Sequence, residues 1–132
     1  MAIVVGLVAT PEGRAALEHA AAAALREGVA LVAVRSVRQG REQDAEELAE
    51  LEAVHARAVQ ELTAAGLGHQ VREVPDSLDS ADDLVTAAEE VDAGLIVIGL
   101  RRRTPVGKLI LGSSAQRILL DAPCPVLAVK AP

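Results

Sequence analysis

The sequence predicts a single doubly wound α/β domain, a five-stranded parallel sheet with helices on both faces. Three observations carry that expectation. Short apolar runs of strand length alternate with longer segments of helical period. The runs at residues 3–8, 29–34 and 95–99 lack polar alternation, as strands buried on both faces do. Helix-start and helix-stop residues stand between the runs and the helical segments.

The elements follow in order. Ile3-Val4-Val5-Gly6-Leu7-Val8 reads as the first strand, and Thr10 and Pro11 as the N-cap and first residue of a helix. Residues 12–27 keep Ala16, Leu17, Ala20, Ala21, Ala24 and Leu25 on one face, with Gly28 just past the end. Residues 29–34 form the second strand. Residues 44–65 form a long helix with Leu48, Leu51, His55, Ala58, Val59 and Leu62 at helical spacing, closed by Gly66. The acidic run at residues 42–52 reads as the solvated face of that helix. His69, Val71 and Glu73 alternate with Gln70, Arg72 and Val74 as a weaker third strand. Ser80 and Asp83 have the spacing of a capping box ahead of Leu84, Val85, Ala88 and Val91. Residues 95–99 are the fourth strand. Ser113, with Gln116, reads as the cap of the last helix, which Asp121-Ala122-Pro123 stops before a fifth strand at residues 126–129.

Composition narrows the function. At 132 residues, 24% of them charged and 51% hydrophobic, the chain is expected to be one domain spanning residues 1–132. No apolar run reaches the roughly 20 residues of a membrane span. The start has neither a basic flank nor a small-residue cleavage site, so no signal peptide is read. Cys124 is a lone cysteine that fits a reducing cytoplasm and reads as a small packing residue. A net charge of −6 argues against nucleic acid and anionic membranes as partners. There is no Phe, Tyr or Trp, so no aromatic ring stacks on a base, and the core falls to Leu, Val, Ile and Ala. His19, His55 and His69 lack metal-ligand spacing, and no nucleophile–base arrangement stands out. No catalytic or metal-binding residue is therefore assigned.

The stretch at residues 99–114 carries the chemistry. It runs from the carboxyl end of a buried strand to the start of a helix, where open α/β sheets bind ligands. Gly112 allows close backbone approach, and Ser113 and Ser114 add hydroxyls and free N–H groups at a helix N-terminus. Arg101, Arg102, Arg103 and Lys108 concentrate positive charge there in an acidic chain. That combination suits a phosphate, and it equally suits a solvated basic loop.

Gly99, Gly112 and Ser113 fall on the pattern G-x2-G-x9-G-(S/T). With the ending Ala122-Pro123-Cys124-Pro125-Val126-Leu127-Ala128-Val129 and the opening Ile3-Val4-Val5-Gly6-Leu7, they make the chain resemble the universal stress protein family along essentially its whole length. The resemblance implies the strand order 3-2-1-4-5 and ATP or AMP as ligand. It also implies a homodimer paired through Val126, Leu127, Ala128 and Val129 of the last strand. The implied site takes Val8, Thr10 and Val34 on the nucleoside side. Gly99, Arg101, Arg102, Gly112, Ser113 and Ser114 lie on the phosphate side. Two positions depart from the pattern of nucleotide-binding members: Arg102 replaces the middle glycine, and Val8 replaces the acidic residue after the first strand. The expected function is a signalling or stress-response module rather than an enzyme. A dimeric adaptor without a nucleotide is the alternative. A weak ATPase is a third, which loses its most obvious carboxylate at Val8.

Overall fold

The computed structural model describes residues 1–38, 40, 43–101 and 111–132. Strands and helices alternate through the described residues: β1 (Ile3–Gly6), α1 (Pro11–Glu27), β2 (Leu31–Ser36), α2 (Ala45–Ala64), β3 (His69–Val74), α3 (Ser80–Glu90), β4 (Leu95–Leu100), α4 (Ser113–Asp121) and β5 (Val126–Lys130). The five strands are all parallel in the order β3-β2-β1-β4-β5, as expected. Central β1 pairs on both sides, Ile3 standing opposite Leu31 and Leu95.

Alternate side chains of each buried strand feed two apolar layers. Ile3, Val5, Leu31, Ala33 and Val97 pack under α1 and α2. Val4, Val32, Val34, Ile96 and Ile98 pack under α3 and Ile118 of α4. In α1 the contact face is mostly alanine, with Ala20 and Ala24 completely buried, so the helix lies close to the sheet. Larger side chains do the filling elsewhere: Leu17, Leu51 and Leu62 are at most 2% exposed, each stabilising by about 2–3 kcal/mol relative to exposure. Val54 joins Leu51, Ala58 and Leu62 in this layer although the helical pattern did not mark it, while His55 is only half-buried. Cys124 packs half-buried against the second layer, where burial pushes its thiol pKa up.

Helix ends show where local reading holds and where it fails. Thr10 caps α1, its Oγ1 accepting from the Gly13 amide at 3.0 Å, and Gly28 closes the helix at φ 70°. Asp44 Oδ1 accepts from the amides of Glu46 and Glu47 at the start of α2. Neither expected capping box forms, and both N-caps fall one residue earlier than expected. Asp79, not Ser80, caps α3 through the Ala81 amide. Asp83 is occupied instead by the hydroxyls of Ser36 and Ser77, at 2.6 and 2.5 Å. Gly112, not Ser113, is the N-cap of α4, and Gln116 Nε2 donates to the Leu111 carbonyl. The acidic face of α2 is also not wholly solvated, since Glu47 and Glu50 both ion-pair with Arg14 of α1.

The second strand begins later and runs further than its apolar run. Val29 still donates to Ala24 at the end of α1, whereas Arg35 and Ser36 continue the pairing with Glu73 and Val74. Backbone pairing, not hydropathy, extends this strand to the polar edge.

Candidate functional site

The carboxyl ends of β1 and β2 open on a cleft of about 670 Å³. Its position follows from the strand order: β1 sends its chain to one side of the sheet and β4 to the other, and the crevice forms at that switch point. Val8, Thr10 and Val34, three of the nine anticipated site residues, line it together. Val8 is 50% exposed just past β1, an apolar side chain held at the mouth. Thr10 is there as the α1 cap, and Val34 is buried at the end of β2.

Beyond these, the cleft is lined by polar groups that the pattern did not single out: Arg35, Ser36, Arg38 and Asp44. Asp83 of α3 accepts from Ser36 of β2 and from Ser77, fastening one wall. Ser77 N donates to the Val37 carbonyl at 2.8 Å, and Arg38 Nη2 to the Leu78 carbonyl at 3.2 Å, so the two loops beside the cleft hold each other. The available signal was position alone, because polar residues directly after a buried strand of a doubly wound sheet face the ligand edge.

Gly99, Arg101, Gly112, Ser113 and Ser114 stand at the neighbouring exit of β4 and do not line this cleft. Gly99 lies under the first turn of α1, where an added Cβ would stand 2.4 Å from the Glu12 carbonyl oxygen. Arg101 is engaged with Glu12 at 3.7 Å. Gly112, Ser113 and Ser114 open α4. Side-chain oxygens cap α1, α2 and α3, whereas the N-cap of α4 is Gly112 and no side-chain cap is found there among the described residues. Arg102, Arg103 and Lys108 lie outside the described residues. Because β1 pairs with both β2 and β4, the apolar cleft and the α4 N-terminus are neighbours on one edge of the sheet.

No group of three or more His, Cys, Asp or Glu able to hold a metal is found among the described residues. No described helix is long and apolar enough to cross a membrane.

The model of the universal stress protein family matches residues 1–130. The chain belongs to this family. A universal stress protein of Mycolicibacterium smegmatis is 43% identical over 130 residues, which cover 97% of this chain and 96% of that protein. The solved structure of a universal stress protein from Archaeoglobus fulgidus superimposes with a TM-score of 0.72 at 34% identity, covering 98% of each chain. A second structure from the same organism, in complex with dAMP, gives a TM-score of 0.68 at 30% identity, again covering 98% of each. Within the universal stress protein family, then, this chain keeps the sheet and the outer glycines of the loop pattern. It presents Val8 at the β1 exit, with Arg35 and Arg38 in the lining of the same cleft.

Proposed function

We propose that the chain is a nucleotide-responsive stress or signalling module that acts by binding rather than by turnover. The observation that carries this reading is the placement of a cleft with Val8 and Val34 in its lining beside a helix N-terminus that, among the described residues, has no side-chain cap, at the switch point of the sheet. The dAMP complex of the 30% identical relative supports it. ATP or AMP would lay its phosphates on the amides of Gly112, Ser113 and Ser114, with Arg101 and Arg102 near them. The adenine would rest on Val8 and Val34. With no aromatic residue to stack on, adenine gains only aliphatic contact, and affinity is modest. The same reading makes the chain a cytoplasmic homodimer, paired along the open edge of β5.

The aromatic-free composition makes the test direct. Pure protein absorbs almost nothing in the near ultraviolet, so a nucleotide band in fresh material that heat releases as ATP or AMP supports the proposal. Calorimetry with ATP, ADP and AMP then measures affinity in the parent and in the double variant Val8→Asp, Arg102→Gly, which restores the family pattern. Heat in the parent is the expected result. Silence in the parent at millimolar nucleotide, with binding in the restored variant, favours the second reading: an adaptor whose site the two departures, Val8 and Arg102, have disabled.

A further inference from the structure

Two guanidinium groups line the end of the cleft farthest from α4. Along the carboxyl edge the strand order runs from β4, which leads to α4, through β1 to β2. Arg35, within the last two residues of β2, and Arg38, just beyond it, therefore lie on the far side of Val8 from Ser113 and Ser114. Both arginines line the cleft and both are half-buried. Arg14, Arg72, Arg101 and Arg117 each pair with a carboxylate. Arg35 and Arg38 have no carboxylate at ion-pair distance among the described residues, and Arg38 spends a single donor on the Leu78 carbonyl. Drawing an unpaired guanidinium partly out of water costs free energy that an anionic ligand recovers.

The surrounding groups agree with an anion. Asp44 is the one carboxylate lining the cleft among the described residues, and its Oδ1 is committed to the amides of Glu46 and Glu47. Among the described residues, two positive charges thus face one negative charge in the cleft, in a chain whose net charge is −6. At the β1 exit the half-exposed side chain is Val8, which neither accepts a hydrogen bond from a ribose hydroxyl nor repels a phosphate. In parallel α/β nucleotide sites a carboxylate at the ribose selects the free diol, and an arginine near that place accommodates a ribose phosphate.

Building on the nucleotide reading above, we propose that this cleft selects nucleotides that carry a second phosphate on the ribose 2′ or 3′ oxygen. Arg35 and Arg38 hold that phosphate at the β2 end while the 5′-phosphate lies toward α4. Val8 permits the arrangement because a carboxylate at its place would oppose the added charge.

Calorimetry on the full chain at one low ionic strength compares adenosine 5′-monophosphate with adenosine 2′,5′-bisphosphate and adenosine 3′,5′-bisphosphate. The expected result is that at least one bisphosphate binds tighter than the monophosphate by about tenfold or more, the scale of one charge-assisted contact. In Arg35→Gln, Arg38→Gln the ratio of the two affinities falls toward one, with circular dichroism confirming retention of the fold. Equal affinities in the parent overturn the proposal and leave the nucleotide reading standing. No heat with any of the three ligands overturns both. A preference that persists in the folded double variant overturns the assignment to these arginines. The parent comparison decides the question even where the variant does not fold.

Discussion

His55 stands half-buried on α2. Burial holds its imidazole below the ordinary value of 6.5, and the positive charge of Arg35 on β2 and the nearby His69 on β3 act in the same direction. The sign of the linkage follows. With the folded value below the unfolded one, the unfolded chain takes up the proton first, so stability is lost as the pH falls through 6.5 toward the folded value. Urea midpoints measured from about pH 7 down to about pH 5 should therefore drop further for the parent than for His55→Gln. Identical pH profiles for the two proteins would remove the effect. Arg35 contributes to this shift and also lines the cleft, so an anion bound beside Arg35 should raise the His55 pKa. Histidine proton titration by NMR with and without ligand reads that coupling.

The elements meet most tightly at the start of α1. A Cβ on Gly99 would stand 2.4 Å from the Glu12 carbonyl oxygen, and one on Gly13 would stand 2.1 Å from the Val8 carbonyl oxygen. These two glycines let the first turn of α1 lie directly on the exits of β1 and β4. The glycine that opens the loop pattern thus has a packing reason that needs no ligand. Gly99→Ala should destabilise the chain by about 1–3 kcal/mol, the usual cost of forcing an extra carbon into a packed contact. Chemical denaturation measures this, and an unchanged midpoint would show that α1 does not press on β4. A second fastening joins α3 to α4: Arg117 reaches Asp79 at 2.5 Å and Asp82 at 2.8 Å. Since Arg117 is half-exposed, that cluster adds at most about 1 kcal/mol, and apolar packing remains the main bond between these helices and the sheet.

At the scale of the whole molecule, β3 and β5 are the two edges of the sheet, and they differ in character. β3 carries His69, Arg72 and Glu73, charged or polar groups that discourage pairing with another chain. β5 reads Val-Leu-Ala-Val-Lys, with Leu127 41% exposed; Leu120 on the preceding helix is 84% exposed. An apolar edge of this kind invites a second copy, and the proposed homodimer covers it. Light scattering at micromolar concentration should give twice the 13.6 kDa chain mass. Leu127→Lys should bring it down to the monomer. A parent that scatters as a monomer rejects the dimer.

How much of this was legible before the fold was known differs by level. The alternation of apolar runs with helical period determined the parallel sheet and its covering helices, because burial on both faces leaves no room for polar alternation. Thr10 and Gly28 were readable because capping is a contest among neighbouring residues in the chain. The same local logic failed at Ser80 and Ser113. Asp83 found hydroxyl partners on Ser36 and Ser77, 47 and 6 residues away, and no local pattern registers such competition. The glycines of the loop pattern were visible in the sequence. That Gly99 faces the Glu12 backbone was not, since it depends on where α1 crosses β4. Likewise no sequence pattern singled out Arg35 and Arg38, which the strand order sets beside Val8. Periodicity along the chain records which face of an element is buried; which side chains meet across the switch point is decided only when the strands take their places, because those residues are brought together by packing and not by spacing.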